Sequence, residues 1–304
     1  MSGLQSLPVS VQNRLQQVVS SLIGSMAKVP KAWIDSTAKS ITANSEAEFA
    51  LQKAIVIAAK KRIAQDDELI NAAIEAYLPS SIRKSRNRFR VLQSAAQNLK
   101  EDVDENKDST CDEKSVDEDW LNIFARQAED ASSERMQALL GKILSGEIRK
   151  PGSFSPSTLR IVSEMDEEMA LDIKRFSQIV VGDCVYTDES WLSGEKFNFA
   201  NRLALHGFIS ATAGQVSRVV EVNAQGLAIH ALGNTFLEIH APAYQKINAP
   251  VLELTKVAMQ LRTLFPQPEN ALELIKDSAL KIKNNNQIIA HCKLILPGIF
   301  EIVI

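Results

Sequence analysis

The chain has 304 residues, 45% hydrophobic and 23% charged, with a net charge of -3. That length calls for about two or three units with real interiors. The near-balanced charge excludes a generally basic nucleic-acid binder and a polyanion mimic, and only 12 Gly and 10 Pro argue for long regular elements over loops.

The first residues, MSGLQSLPVSVQNRLQQVVSS, lack the basic segment and continuous apolar core of a secretory signal. Within them Val11, Leu15, Val18, Val19, Leu22, Ile23 and Met26 recur at three-and-four spacing, which predicts an amphipathic helix whose apolar stripe is buried in a core or an oligomer. Beyond Pro30 the same periodicity predicts helices through Trp33 to Ile41, Glu46 to Ala64 and Asp66 to Tyr77, so the whole region 1–100 is expected to be helical. Its longest apolar run, AIVIAA at 54–59, falls far short of the roughly 20 residues that span a bilayer.

IRKSRNRFR at 82–90 places five cations, Arg83, Lys84, Arg86, Arg88 and Arg90, in one short stretch. On a helix Arg83, Arg86 and Arg90 share a side, and guanidinium forks suit phosphates. The competing reading is a solvated helix end, or a surface paired with the acidic segment that follows. That segment, EDVDENKDSTCDEKSVDED at 101–119, carries ten acids against two lysines and reads as a solvated linker. It contributes -8, which leaves the rest of the chain at +5.

Four helical patterns follow in about 65 residues: WLNIFARQAED, SSERMQALLGKILSGEI, SPSTLRIVSEM and DEEMALDIKRFSQIVV. Ser132 or Ser133 is expected to cap the second, and Ser163 with Asp166 to form a capping box for the fourth. Between the second and third, GEIRKPGSFSPSTLR at 146–160 ends one helix at Pro151-Gly152 and starts the next with Ser155 as cap and Pro156 as first residue. Free amides there, beside Arg149 and Lys150, also suit an external anion, although Pro removes one donor and no glycine-rich strand-to-helix loop precedes them.

From about Gly182 the pattern shortens. VSRVVEVNAQ, GLAIHAL and TFLEIHA, punctuated by Asn-Ala-Gln-Gly and Gly-Asn, predict strands of an antiparallel sheet. VLELTKVAMQLRTLF and PENALELIKDSALKIK predict helices, and QIIAHCKLIL with GIFEIVI predicts closing strands. The fold class is therefore mostly α with a C-terminal α+β domain, a small antiparallel sheet with helices in a wing-and-helix arrangement. The organisation reads as 1–100 helical region, 101–117 acidic linker, 118–181 four-helix module and 182–304 α+β domain.

Chemical signatures are sparse. His206, His230, His240 and His291 have no metal spacing, although His230 and His240 could meet across a hairpin. Cys111, Cys184 and Cys292 form no CxxC, which fits a reducing, cytoplasmic setting, and Cys184 and Cys292 sit in apolar surroundings that leave a thiol inert. No P-loop, HExxH or GxSxG occurs, so neither catalytic residue, metal nor cofactor is expected.

One resemblance is specific. Trp120, Ser133, Glu134, Leu144, Gly146, Glu147, Ile148, Lys150, Pro151, Gly152, Ser153, Phe154, Ser155, Thr158 and Leu159 follow the core signature of a bacterial family, domain of unknown function twenty-eight-oh-six. LELTKVAMQL resembles the family's Leu-Thr-x-x-Gly-x-x-Leu string, with Ala258 where Gly is usual, so a tight packing point stands in question. The helical module also resembles alpha-type abortive-infection proteins of phage defence. These resemblances imply a defence or mobile-element context. With the long amphipathic helices and the lack of a polar catalytic cluster, the reading is a non-enzymatic interaction or sensor protein that associates with itself or a protein partner through its amphipathic N-terminal helices. The alternative is a nucleic-acid-binding regulator that uses Arg83, Lys84, Arg86, Arg88 and Arg90 with a winged C-terminal domain.

Overall fold

The structure is a computed structural model that describes residues 7–23, 67–101, 114–266, 268, 270–286, 292–296 and 300–303. The helices expected at 33–41 and 46–64, residues 102–113 of the acidic linker, Cys111 and His291 lie outside the described residues. The chain divides into two compact units, Met1–Leu159 and Arg160–Ile304. No described helix is long and apolar enough to cross a membrane.

The first unit is built from α1 (Val9–Ile23), α2 (Asp67–Glu101), α3 (Glu118–Asp130) and α4 (Glu134–Arg149), with α5 (Pro156–Ser163) beginning in it and running across the division. α2 is one helix of 35 residues; it joins the pattern expected to end at Tyr77 to the basic stretch at 82–90 and runs through Pro79. The stripe on α1 predicted by periodicity is buried at Val11, Leu15, Val18, Val19 and Leu22, and α1 packs on α2, α3 and α4. That face is thus covered within its own chain and is not the free surface an association through α1 requires.

α2 and α4 pack tightly at Gly141, where a Cβ would lie 2.2 Å from Ser94 Oγ and 3.1 Å from the Ala95 amide nitrogen. Asp117 caps α3 by accepting from the Trp120 amide at 2.8 Å, and Ser133 caps α4 by accepting from the Met136 amide at 3.2 Å. Gln17 ties α1 to the start of α3, because its side-chain amide donates to Val116 O and accepts from Val116 N.

The helix C-termini of this unit are held by a ring of arginines. A helix end leaves its last carbonyls without intrahelical donors and carries partial negative charge, so a guanidinium there is favourable. Arg88 of α2 donates to Leu22 O of α1 at 2.8 Å; Arg149 of α4 donates to Asn98 O of α2 at 3.2 Å; Arg14 of α1 donates to Arg149 O of α4 at 2.8 Å. Each of the three helices both gives and receives.

The second unit contains α6 (Glu167–Ser177), β1 (Cys184–Tyr186), a short 3-10 turn at Glu189–Trp191, α7 (Gly194–Leu205), β2 (Ser217–Glu221), β3 (Leu227–Leu232), β4 (Thr235–His240), β5 (Lys246–Glu253), α8 (Lys256–Arg262), α9 (Ala271–Asn285), β6 (Cys292–Leu296) and β7 (Phe300–Val303). The fold class is as predicted, but there are two antiparallel sheets, ordered β1-β5-β2 and β3-β4-β6-β7. Their buried side chains and α9 form one core that includes Tyr186, Leu237, Val251 and Ile282. The β3–β4 hairpin turns at Gly233-Asn234 as expected, with Gly233 at φ 62, a conformation that favours glycine.

Three local expectations are corrected. Residues 251–253 of VLELTKVAMQLRTLF belong to β5, the central strand of its sheet, and only Lys256–Arg262 is helical. Pairing to β1 on one side and β2 on the other is a non-local choice that a helical-period count cannot see. The fourth module helix is capped by Asp166 itself, which accepts from the Met169 amide at 2.8 Å, while Ser163 closes the previous helix by donating to Arg160 O. His230 and His240 do not meet: His230 sits opposite Leu237 and His240 opposite Leu227, on opposite faces of the hairpin. His240 instead contacts Glu238 at 2.6 Å.

Thr255 joins β5 to α8. Its hydroxyl accepts from the Ala258 amide at 3.3 Å and donates to Gly207 O at 2.7 Å. Ala258, at the position where the resembled string has Gly, is fully buried, so the packing there tolerates a methyl group.

Candidate functional site

The signature corner is a short run of backbone amides folded around a carboxylate from its own chain. Lys150 N donates to Gly146 O as α4 ends, and Ser153 N returns to Lys150 O at 3.1 Å. This closes a turn with Pro151 at its second position and Gly152, φ 88, at its third. Proline pre-sets the first backbone angle of such a turn, and glycine supplies the positive second one.

Within this turn Gly152 N and Phe154 N both donate to the Glu147 carboxylate, at 2.5 and 3.0 Å. Glu147 is only 1% exposed. Burial pushes its carboxyl above the usual range, and the amide hydrogen bonds partly offset that. The Phe154 ring lies over Gly146, where a Cβ would stand 2.8 Å from the ring edge. Ser155 then caps α5, accepting from the Thr158 amide at 3.3 Å.

The external anion considered for this corner is therefore replaced by Glu147, which already occupies the amides. Arg149 faces the end of α2, and Lys150 is exposed. Glu147, Pro151, Gly152, Phe154 and Ser155 each have a stated local role, and Ser153 adds a hydroxyl donating to Lys150 O at 2.6 Å.

The basic stripe is divided. Arg83 and Arg90 are exposed and Arg86 is half-buried. Lys84 and Arg88 converge on Glu129 at the end of α3, Lys84 at 3.0 Å and Arg88 in closer contact still. Arg88 also holds Leu22 O, and burial lowers its pKa. The neighbouring Asn87 donates to Glu129 O at 2.7 Å. Among the described residues an acid that meets the stripe is Glu129, one carboxylate on a packed helix. Nothing local in the sequence marks it, because it stands 41 residues beyond Arg88.

Two polar clusters of the second unit escaped sequence reading for the same reason. Arg202 grips the buried Asp172 at 2.7 and 3.0 Å and lies over the Phe199 ring. Arg218 of β2 makes two 2.9 Å bonds to Asp183, which hold that carboxyl below its usual range, and reaches Glu253 of β5 at 3.3 Å. Behind it lie Cys184, whose thiol is pushed up to about 11 by burial, and Tyr186, whose hydroxyl meets His230 Nε2 at 2.8 Å. A thiol so raised is protonated at neutral pH and is a poor nucleophile. Among the described residues no group of three His, Cys, Asp or Glu side chains is placed to hold a metal ion.

Taken together, the described side chains define a helical unit and an α+β unit whose charged groups engage backbone and neighbouring helices and strands. Residues 83–204 match the family model described as "Protein of unknown function (DUF2806)", less than half of the chain. The match runs from the basic stripe through the signature corner to α7. No curated protein matches the chain, and no solved structure does.

Proposed function

We propose that this chain is a non-enzymatic interaction or sensor protein linked to phage defence of the abortive-infection kind. The observation that carries the non-enzymatic part is the signature corner: Glu147 satisfies the amides of Gly152 and Phe154, so the most distinctive residues of the chain build a rigid helical platform. The resemblance of that segment to phage-defence proteins supports the biological setting. On this reading the protein works in the cytoplasm without a cofactor, with regions at 1–100, 101–117, 118–181 and 182–304, and meets a protein partner or a second copy through exposed faces of its helical part.

Expression of the chain in a bacterial host should lower plating of at least one phage in a broad panel, and removal of 1–100 should abolish that effect and change the oligomeric state measured by light scattering. Unchanged plating across the panel would sink the defence reading.

The exposure of Arg83 and Arg90 favours a second reading, a nucleic-acid-binding regulator. Anisotropy of labelled duplex and single-stranded DNA or RNA over a salt series separates the two. Loss of affinity on changing Arg83, Arg86 and Arg90 to Ser, with a salt slope shallower by about three, supports the regulator. No binding at low salt removes it.

A further inference from the structure

A buried side-chain pair bridges the two sheets of the α+β unit. Tyr186 lies on β1 of the three-stranded sheet and His230 on β3 of the four-stranded sheet, with Oη and Nε2 2.8 Å apart. The rings meet edge to face at 5.8 Å between centroids, and His230 is 9% exposed. Close beside them Gly182 and Gly233 bring the same two regions together, a Cβ on Gly182 lying 3.3 Å from Gly233 N. The surroundings are ill suited to an imidazolium. From β1 they present Tyr186 and the neutral Cys184, and from β2 the Arg218 cation, itself tied to Asp183 and to Glu253 of β5. On β4 the partner of His230 is Leu237, and the nearby acid Glu238 is engaged by His240 on the other face.

We propose that the Tyr186–His230 bridge is a pH-sensitive latch: neutral His230 holds the two sheets together, and its protonation in mild acid loosens them. An imidazolium enclosed here is desolvated and faces Arg218, whose own carboxylate partners are already engaged. The same two causes, burial first and Arg218 second, lower the histidine's pKa from 6.5. A group whose folded pKa is depressed contributes its full stability above the unfolded value and loses it as pH falls through the folded value. The latch is closed at neutral pH and weakens below about 6.5. Histidine is suited to this role because its ordinary titration lies next to physiological pH. This inference does not depend on the phage-defence reading.

The test is hydrogen exchange of the full chain at about pH 7.5 and about pH 5.5, corrected for the intrinsic pH dependence of exchange, in wild type and His230→Gln. Glutamine keeps a hydrogen-bonding group beside Tyr186 and cannot be charged. Peptides covering 184–187 and 227–232 should exchange about tenfold faster in acid for the wild type, and at the same corrected rate at both pH values for the variant. Acid acceleration retained in His230→Gln, or absent from the wild type, overturns the proposal. Should the variant not fold, the ring signals of His230 in the wild type decide: titration below 6.5 in step with the Tyr186 ring signals supports the latch. Titration at or above that value, or Tyr186 signals indifferent to it, overturns it.

Discussion

In the helical unit Arg14, Arg149 and Glu147 spend their charge on backbone carbonyls and amides and Arg88 divides its own between Leu22 O and Glu129, whereas in the α+β unit Arg202 and Arg218 spend theirs on carboxylates of other elements. The difference follows from what each architecture leaves unsatisfied. Helices end with orphan carbonyls and begin with orphan amides, so a bundle needs charged side chains at its ends. Strands satisfy their backbone by pairing with neighbours, so a strand arginine such as Arg218 is free to pair with carboxylates of other elements. Substitutions in the first unit should therefore unseat helix ends, and those in the second should unlink strands and sheets.

The largest expected effect breaks the helical unit without touching a charge. Gly141→Leu places a side chain where Ser94 and the Ala95 backbone already stand, and separating α2 from α4 should cost about 3 kcal/mol, at the upper end for overpacking. Denaturant unfolding followed by hydrogen exchange should show the loss within 67–149. A Gly141→Leu protein as stable as wild type would mean that the two helices do not meet there.

Next comes the corner. Glu147→Ala leaves the Gly152 and Phe154 amides without their acceptor and should cost about 2 to 3 kcal/mol. The comparison sharpens with pH. Because burial raises the Glu147 carboxyl above 4.5, its proton is held more tightly in the folded state; its contribution is full below 4.5 and declines as pH rises through the folded value. The advantage of wild type over Glu147→Gln, read from denaturation midpoints, should accordingly shrink between acid and neutral pH. His230 and Asp183, both depressed, give the α+β unit the opposite slope, with stability lost as pH falls.

A smaller effect tests the ring of arginines. Arg14→Met should cost about 1 to 3 kcal/mol, since it removes the donor to Arg149 O while the carbonyl stays in place. Arg149→Met should cost a similar amount through Asn98 O. The double variant should fall short of the sum, because both contacts anchor the same end of α4. Strict additivity in a double-mutant cycle would show that the two caps are independent. At the bottom of the scale, Arg83→Ser and Arg90→Ser lie on exposed α2 surface and should change stability by less than about 0.5 kcal/mol. That makes them clean reporters for binding, where any effect belongs to a ligand and not to folding.

Much of this was legible in advance wherever the cause is local. The stripe Val11, Leu15, Val18, Leu22 announced α1, Ser132 or Ser133 announced a cap that Ser133 makes, Pro151-Gly152 announced the turn, and Gly233-Asn234 announced the hairpin. In each case the residue's own backbone preference or its helical and strand period does the work, and these act within a few residues. Even Ala258, which departs from the resembled string, could be singled out, although only the fold shows it fully buried.

Tertiary structure alone decided which charges matter. Sequence offered all five cations at 83–90, Arg83, Lys84, Arg86, Arg88 and Arg90, as candidates for binding phosphate, yet Lys84 and Arg88 are engaged by Glu129. Glu147 stood in the signature without a stated contact until the turn folded its amides onto it. Tyr186 and His230, 44 residues apart, have no pattern in common; only the approach of two sheets creates their contact. Local spacing determined most of where the described residues are helical and where they turn. Long-range packing determined the burial and partners of its charges, because desolvation and pairing depend on atoms that the chain brings together only by folding.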